Sequence, residues 1–154
     1  MKAEWKKLLI CIAIPLAVGL VSGWLTRDSM QTFSEMNQPP LSPPGWLFPI
    51  VWTILYILMG IASYLVVRKG AENAEKAIML YIAQLAFNFC WSLIFFNLEW
   101  YLFAFLWLLV LWGLILATIF AFREISRAAA LLMIPYLVWV TFAGYLNFGI
   151  YLLN

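Results

Sequence analysis

Gln84, Asn88 and Ser92 stand four residues apart in a stretch that is otherwise almost wholly apolar. At that spacing they share one face of a helix. Amides and hydroxyls in such a setting form hydrogen bonds but transfer no protons near neutral pH. They act either as glue between helices or as a polar stripe facing a ligand, flanked by Trp91 and Phe95. The sequence leaves both readings open.

The second chemical resource is aromatic. The 154 residues include nine Trp, seven Tyr and twelve Phe. Trp5, Trp24, Trp46, Trp100 and Tyr101 lie near the ends of apolar runs, where amphipathic rings anchor a chain at a membrane surface. Trp52, Trp91, Trp107, Trp112 and Trp139 lie inside those runs. Buried indoles offer flat faces and one N–H donor each. A cavity lined by them suits a large, planar, mostly apolar ligand. Bulky packing is the plain alternative.

Much else is excluded. The chain has no histidine, which removes the usual general base, the commonest zinc ligand and the usual proximal haem ligand. No P-loop, CxxC pair or nucleophile–His arrangement is present. No metal site and no required cofactor are expected. The net charge of +2 is too small and too dispersed for a nucleic-acid binder.

These side chains must be positioned by membrane helices. Apolar residues make up 66% of the chain and charged ones 10%. Charge-free runs separate Lys7 from Arg27, Glu35 from Arg68, Lys76 from Glu99 and Glu99 from Arg123, and a fifth follows Arg127. Each exceeds the ~18 residues that mark a spanning helix. The expected fold class is an all-α integral membrane protein, a single-domain five-helix bundle. Its helices are expected at about 8–25, 46–67, 77–96, 100–122 and 128–152.

Eight of the nine Lys and Arg fall in the N-terminal segment and in the second and fourth loops, leaving only Arg27 on the other side. The positive-inside rule then puts the N-terminus in the cytoplasm and the C-terminus outside. The first apolar run is long and lacks an Ala-x-Ala site, so it reads as a retained helix rather than a cleaved leader. Cys11 and Cys90 differ in depth by roughly 15 Å, beyond the ~7 Å that a disulfide spans, so two free thiols are expected.

Residues 26–45 form the one long loop. It opens on Thr26, Arg27, Asp28 and Ser29 and ends in Pro39-Pro40-Leu41-Ser42-Pro43-Pro44-Gly45. Those prolines make a stiff, non-helical approach to the next helix. The segment reads as a lid or a plain connector. Gly19 with Gly23, Gly60 with Ser63, and Ala143 with Gly144 are small-residue positions for close helix contact, within the chain or between two copies.

The run Pro39-Pro40-Leu41-Ser42-Pro43-Pro44-Gly45-Trp46-Leu47-Phe48-Pro49-Ile50-Val51-Trp52-Thr53-Ile54-Leu55-Tyr56-Ile57-Leu58-Met59-Gly60 closely resembles the signature of the TspO family, also known as tryptophan-rich sensory proteins or translocator proteins. The resemblance continues at Gln84-Leu85-Ala86-Phe87-Asn88-Phe89-Cys90-Trp91-Ser92, at Pro135-Tyr136-Leu137-Val138-Trp139 and at Leu146-Asn147. It implies a five-helix bundle in a bacterial cell membrane, commonly a homodimer. It also implies binding of protoporphyrin IX and related tetrapyrroles, and of isoquinoline or benzodiazepine drugs, in a pocket beneath the first loop. Carried over by position, Trp52 and Trp139 resemble the pocket tryptophans and Asn88 a pocket amide. Phe33, Pro43, Pro44, Trp46, Phe89 and Ala143 are further lining positions.

The resemblance implies a sensor or carrier of porphyrins. The alternative it carries is an enzyme that degrades protoporphyrin IX with light and oxygen, with Trp52 and Trp139 as redox partners. With no histidine to ligate iron, free-base porphyrin is expected to bind at least as well as haem. One feature departs from the family. Mitochondrial members bind cholesterol through a Tyr followed by Lys or Arg late in the fifth helix. Here Leu152 stands where they have arginine, so cholesterol recognition is not carried over. Leu58, Tyr64 and Arg68 fit the loose sterol pattern, as many membrane helices do.

Overall fold

Residues 2–154 are described in a computed structural model. The chain is 84% helical, with no strand among the described residues. Its helices are α1 (Lys2–Leu25), α2 (Met30–Ser34), α3 (Leu47–Lys69), α4 (Ala74–Ser92), α5 (Tyr101–Arg123) and α6 (Arg127–Leu153). All but α2 are long and apolar enough to cross a membrane.

The charge-free runs therefore mark the five long helices, with shifts at the ends. α1 extends back to Lys2, because nothing in the basic N-terminal stretch stops a helix. Past Ser92, α4 continues as a π-helical turn, Leu93–Asn97. The stops are local. Gly70 takes a left-handed φ of 63° after α3, a conformation that costs glycine little. The Ser126 hydroxyl accepts the Ala129 N–H at 3.2 Å and caps α6.

Eight of the twenty residues of the long loop are helical, which its composition did not announce. A 3-10 turn, Arg27–Ser29, leads into α2, and the proline-rich remainder runs without regular structure to α3. Leu41 in that remainder holds a left-handed φ of 71°.

The long helices close a ring in the order α1, α3, α6, α5, α4 and back to α1, the last seam being the thinnest. Lipid offers little hydrophobic drive for helix association, so close packing and hydrogen bonds must hold such a ring. Glycine supplies the close approach between α1 and α3. A methyl group on Gly60 would lie 2.7 Å from the Cys11 carbonyl oxygen, and one on Gly19 would lie 2.5 Å from the Tyr56 ring. Gly23 has nothing within 4 Å, so the Gly19–Gly23 pair divides: one residue packs inside the chain and the other faces outward. Gly144 packs against Leu108 of α5. The core runs through the ring, with Met59, Leu111, Ile115, Phe122, Met133 and Tyr136 sealed from solvent. Cys11 and Cys90 are both unpaired.

Candidate ligand site beneath the lid

The polar stripe of α4 faces the ring interior. Gln84 and Asn88 are fully buried there. Tyr136 of α6 donates its hydroxyl to Gln84 Oε1 at 2.6 Å and accepts from Asn88 Nδ2 at 2.7 Å. Tyr56 of α3 donates to Asn88 Oδ1 at 3.2 Å. Three helices are thus tied across the ring by amide–hydroxyl bonds, each group satisfying the next. Ser92, the third member of the stripe, is half-buried.

An aromatic layer rests on this floor, on the side of the lid. Trp52 stacks on Tyr56 at 5.5 Å between centroids and meets Tyr136 edge-on at 6.2 Å. Phe48, one turn before Trp52, meets Trp139 edge-on at 6.0 Å. From the lid, Phe33 drops onto Phe48, Phe95 and Phe96 at 6.0, 5.8 and 5.3 Å. Such offset and edge-to-face pairs are the favoured aromatic geometries.

The tryptophans sort by what their rings already do. Trp5, Trp24, Trp46 and Trp100 are exposed near helix ends, as interfacial anchors are. Three others spend their N–H inside the fold. Trp91 donates to Asn147 Oδ1 at 3.1 Å, Trp107 to the Phe87 carbonyl at 2.9 Å, and Trp112 to Thr141 Oγ1 at 2.9 Å. Trp52 and Trp139 remain. The contacts of Trp52 are ring contacts, and the indole nitrogen of Trp139 is buried with no hydrogen-bond partner. A buried donor left unpaired costs about 1–3 kcal/mol.

The lid is fastened at several points. The Tyr145 hydroxyl donates to the Pro40 carbonyl at 2.6 Å. Asn154 Nδ2 donates to the Asn37 carbonyl at 2.8 Å. Pro39 lies flat on α6 where Gly149 offers no side chain. At the other edge, Ser29 donates to Asn97 Oδ1 at 2.7 Å, and Asn97 Nδ2 donates to the Leu25 carbonyl at 3.0 Å.

Comparison with known proteins gives this arrangement a family. The model of the TspO/MBR family matches residues 11–153. The chain belongs to the TspO/MBR family.

Its relatives within TspO/MBR span bacteria and mammals. It is 40% identical over 150 residues to "Tryptophan-rich protein TspO" of Chlorobaculum tepidum, covering 96% of this chain and 95% of that one. It is 35% identical over 154 residues to "Tryptophan-rich sensory protein" of Cereibacter sphaeroides, covering 100% and 95%. With "Translocator protein" of Bos taurus it shares 32% over 152 residues, covering 96% and 90%.

Of the TspO/MBR positions carried over from the sequence, the structure gathers several. Trp52, Trp139, Phe33 and Asn88 belong to the floor and the aromatic layer. Ala143 is buried on α6, and Phe89 and Pro43 are half-buried. Pro44 and Trp46 are exposed, and among the described residues no ring contact joins Trp46 to the layer. Its position one residue before α3 leaves its ring exposed, as the ring of an interfacial anchor is.

Three residues were not singled out as site positions: Phe48, Tyr56 and Tyr136. Tyr56 follows Trp52 by one helical turn and Tyr136 precedes Trp139 by one, a spacing that put them within reach. Chemically, the arrangement offers hydrogen bonds and ring faces rather than acid–base groups. It presents ring faces, one free indole donor and an amide floor, and among the described residues no metal-holding cluster.

Proposed function

We propose that this membrane protein receives a flat, largely apolar ligand between Trp52 and Trp139, beneath the lid. Protoporphyrin IX or a related tetrapyrrole is the natural candidate, and isoquinoline- or benzodiazepine-type drugs present similar planar rings. The observation that carries the reading is the unpartnered, buried N–H of Trp139 beside an aromatic layer. A ligand acceptor would complete it. Phe33 packs on Phe48 and Phe96 from the lid, so in this reading the lid lifts or turns to admit the ligand. The protein would sense such ligands or carry them across the membrane. The same reading has it as a homodimer in a bacterial cell membrane, N-terminus cytoplasmic. The eight-to-one distribution of basic residues supports that orientation.

A second reading rests on the stacking of Trp52 against Tyr56 at 5.5 Å. Two oxidisable rings in contact beside a photoexcited porphyrin suit light- and oxygen-dependent porphyrin breakdown.

The test is a protoporphyrin titration of the purified protein, dark and illuminated, on wild type, Trp52→Phe and Trp139→Phe. Saturable quenching with an unchanged porphyrin band in light supports the receptor. Band loss that needs light and either tryptophan supports the enzyme. No saturable binding overturns both.

A further inference from the structure

At the end of the bundle opposite the lid, α4 and α5 leave a groove of about 380 Å³ between them. Its lining is periodic. Residues 73, 76, 77 and 80 come from the α4 side, and residues 117, 120, 121 and 124 from the α5 side. Both sets follow the i, i+3, i+4, i+7 pattern of one helix face. The groove therefore runs along the helix axes for two turns, about 10 Å. Ala77, Ala117 and Ala121 are small enough to open it, and Leu80 and Phe120 wall its membrane-ward part. Phe120 is 57% exposed, so this wall faces the lipid.

The mouth of the groove has the opposite character. Lys76 and Glu124 stand on its two sides, both exposed, one from each helix. The helix ends reinforce each charge. α4 begins at Ala74, and its cap residue Asn73 makes no side-chain capping bond. Its first N–H groups carry partial positive charge beside Lys76. α5 ends at Arg123, and its last carbonyls carry partial negative charge beside Glu124. Lys76 and Glu124 thus line the two sides of an apolar slot at the membrane boundary, while their chain neighbours Glu75 and Arg123 lie outside its lining.

We propose that this groove binds one phospholipid with a zwitterionic, primary-amine headgroup, such as phosphatidylethanolamine. The phosphate lies at Lys76 and the α4 N-terminus. The ammonium donates to Glu124 and to the closing carbonyls of α5. One acyl chain follows the alanine-floored slot past Leu80 and Phe120. A phosphatidylglycerol leaves Glu124 facing an anionic lipid without a cation. A phosphatidylcholine brings a cation with no N–H to donate.

The test is native mass spectrometry of the purified full chain, equilibrated with equimolar phosphatidylethanolamine, phosphatidylglycerol and phosphatidylcholine of identical acyl chains. Wild type is expected to retain one phosphatidylethanolamine per chain, at least five-fold over either competitor. The isosteric double variant Lys76→Gln/Glu124→Gln, checked for native helix content, is expected to lose that preference. Ala121→Leu, which fills the slot, is expected to lose the single retained lipid. Retention of phosphatidylglycerol equal to phosphatidylethanolamine overturns the proposal, as does a preference that survives the double variant. A paired chain in place of the lipid adduct would give the groove to a second copy and overturn it too.

Discussion

Pro39 of the lid rests on Gly149 of α6 so closely that a methyl group on that glycine would lie 2.6 Å from the proline ring. Helix and lid are fitted to each other at a point where neither has a flexible side chain to yield. Gly149→Ala is expected to lift the proline-rich stretch while leaving the five long helices in place. The cost of such overpacking is ~1–3 kcal/mol. Hydrogen exchange checks it: protection should fall in residues 30–46, with the helix interiors unchanged.

The amide floor makes a different prediction. Tyr136→Phe removes a hydroxyl that both donates to Gln84 and accepts from Asn88. Two buried amides then lose a partner, at about 1–3 kcal/mol for an unsatisfied group. Tyr56→Phe removes one longer bond to Asn88 and is expected to cost less. Thermal unfolding in detergent should rank Tyr136→Phe well below Tyr56→Phe.

The glycines of α1 and α3 are expected to behave oppositely. Gly60→Ala has no room against the backbone of Cys11 and Ile12, so it is expected to destabilise by ~1–3 kcal/mol and to part α1 from α3. Gly23→Ala meets nothing within 4 Å. It is expected to be neutral or to stabilise by up to ~1 kcal/mol through helix propensity. Unfolding midpoints of the two variants, measured side by side, decide this.

Two indole donors should likewise separate stability from binding. Trp107→Phe breaks a bond to the Phe87 carbonyl and is expected to cost about 1 kcal/mol of stability with little effect on ligand affinity. Trp139→Phe breaks no bond in the free protein, because its N–H has no partner. Relief of that unpaired donor offsets the ring area lost against Phe48 and Phe142, so the variant is expected to leave the unfolding midpoint nearly unchanged and to weaken porphyrin binding roughly two- to ten-fold, the worth of one hydrogen bond. A Trp139→Phe protein that unfolds early and binds normally would refute the assignment of that donor to a ligand.

The five long helices were legible because lipid imposes one rule on every spanning segment, and charges obey it. Helix adjacency was not legible, since the side chains that choose neighbours are as apolar as those that face lipid. α2 was missed because five residues carry no usable period. Motif resemblance named Trp52, Asn88 and Trp139, which the structure places in the aromatic layer and its floor, but it gave Tyr56 and Tyr136 no role. Their hydroxyls acquire meaning only opposite the α4 amides. The stripe itself, read as glue or ligand face, serves as glue through Gln84 and Asn88.

The ring order has a consequence for the birth of the protein. α3 and α4 follow one another in the chain, yet α3 packs mainly on α1 and α6, and α4 on α5. On a ribosome feeding a membrane insertase, the first four spanning helices would emerge with one wall missing. The final helix brings that wall, the hydroxyl that joins the amides, and the shelf on which the lid lies. A nascent chain stalled before α6 is therefore an open trough with two unsatisfied amides, a form that membrane quality-control proteases could distinguish from the finished ring.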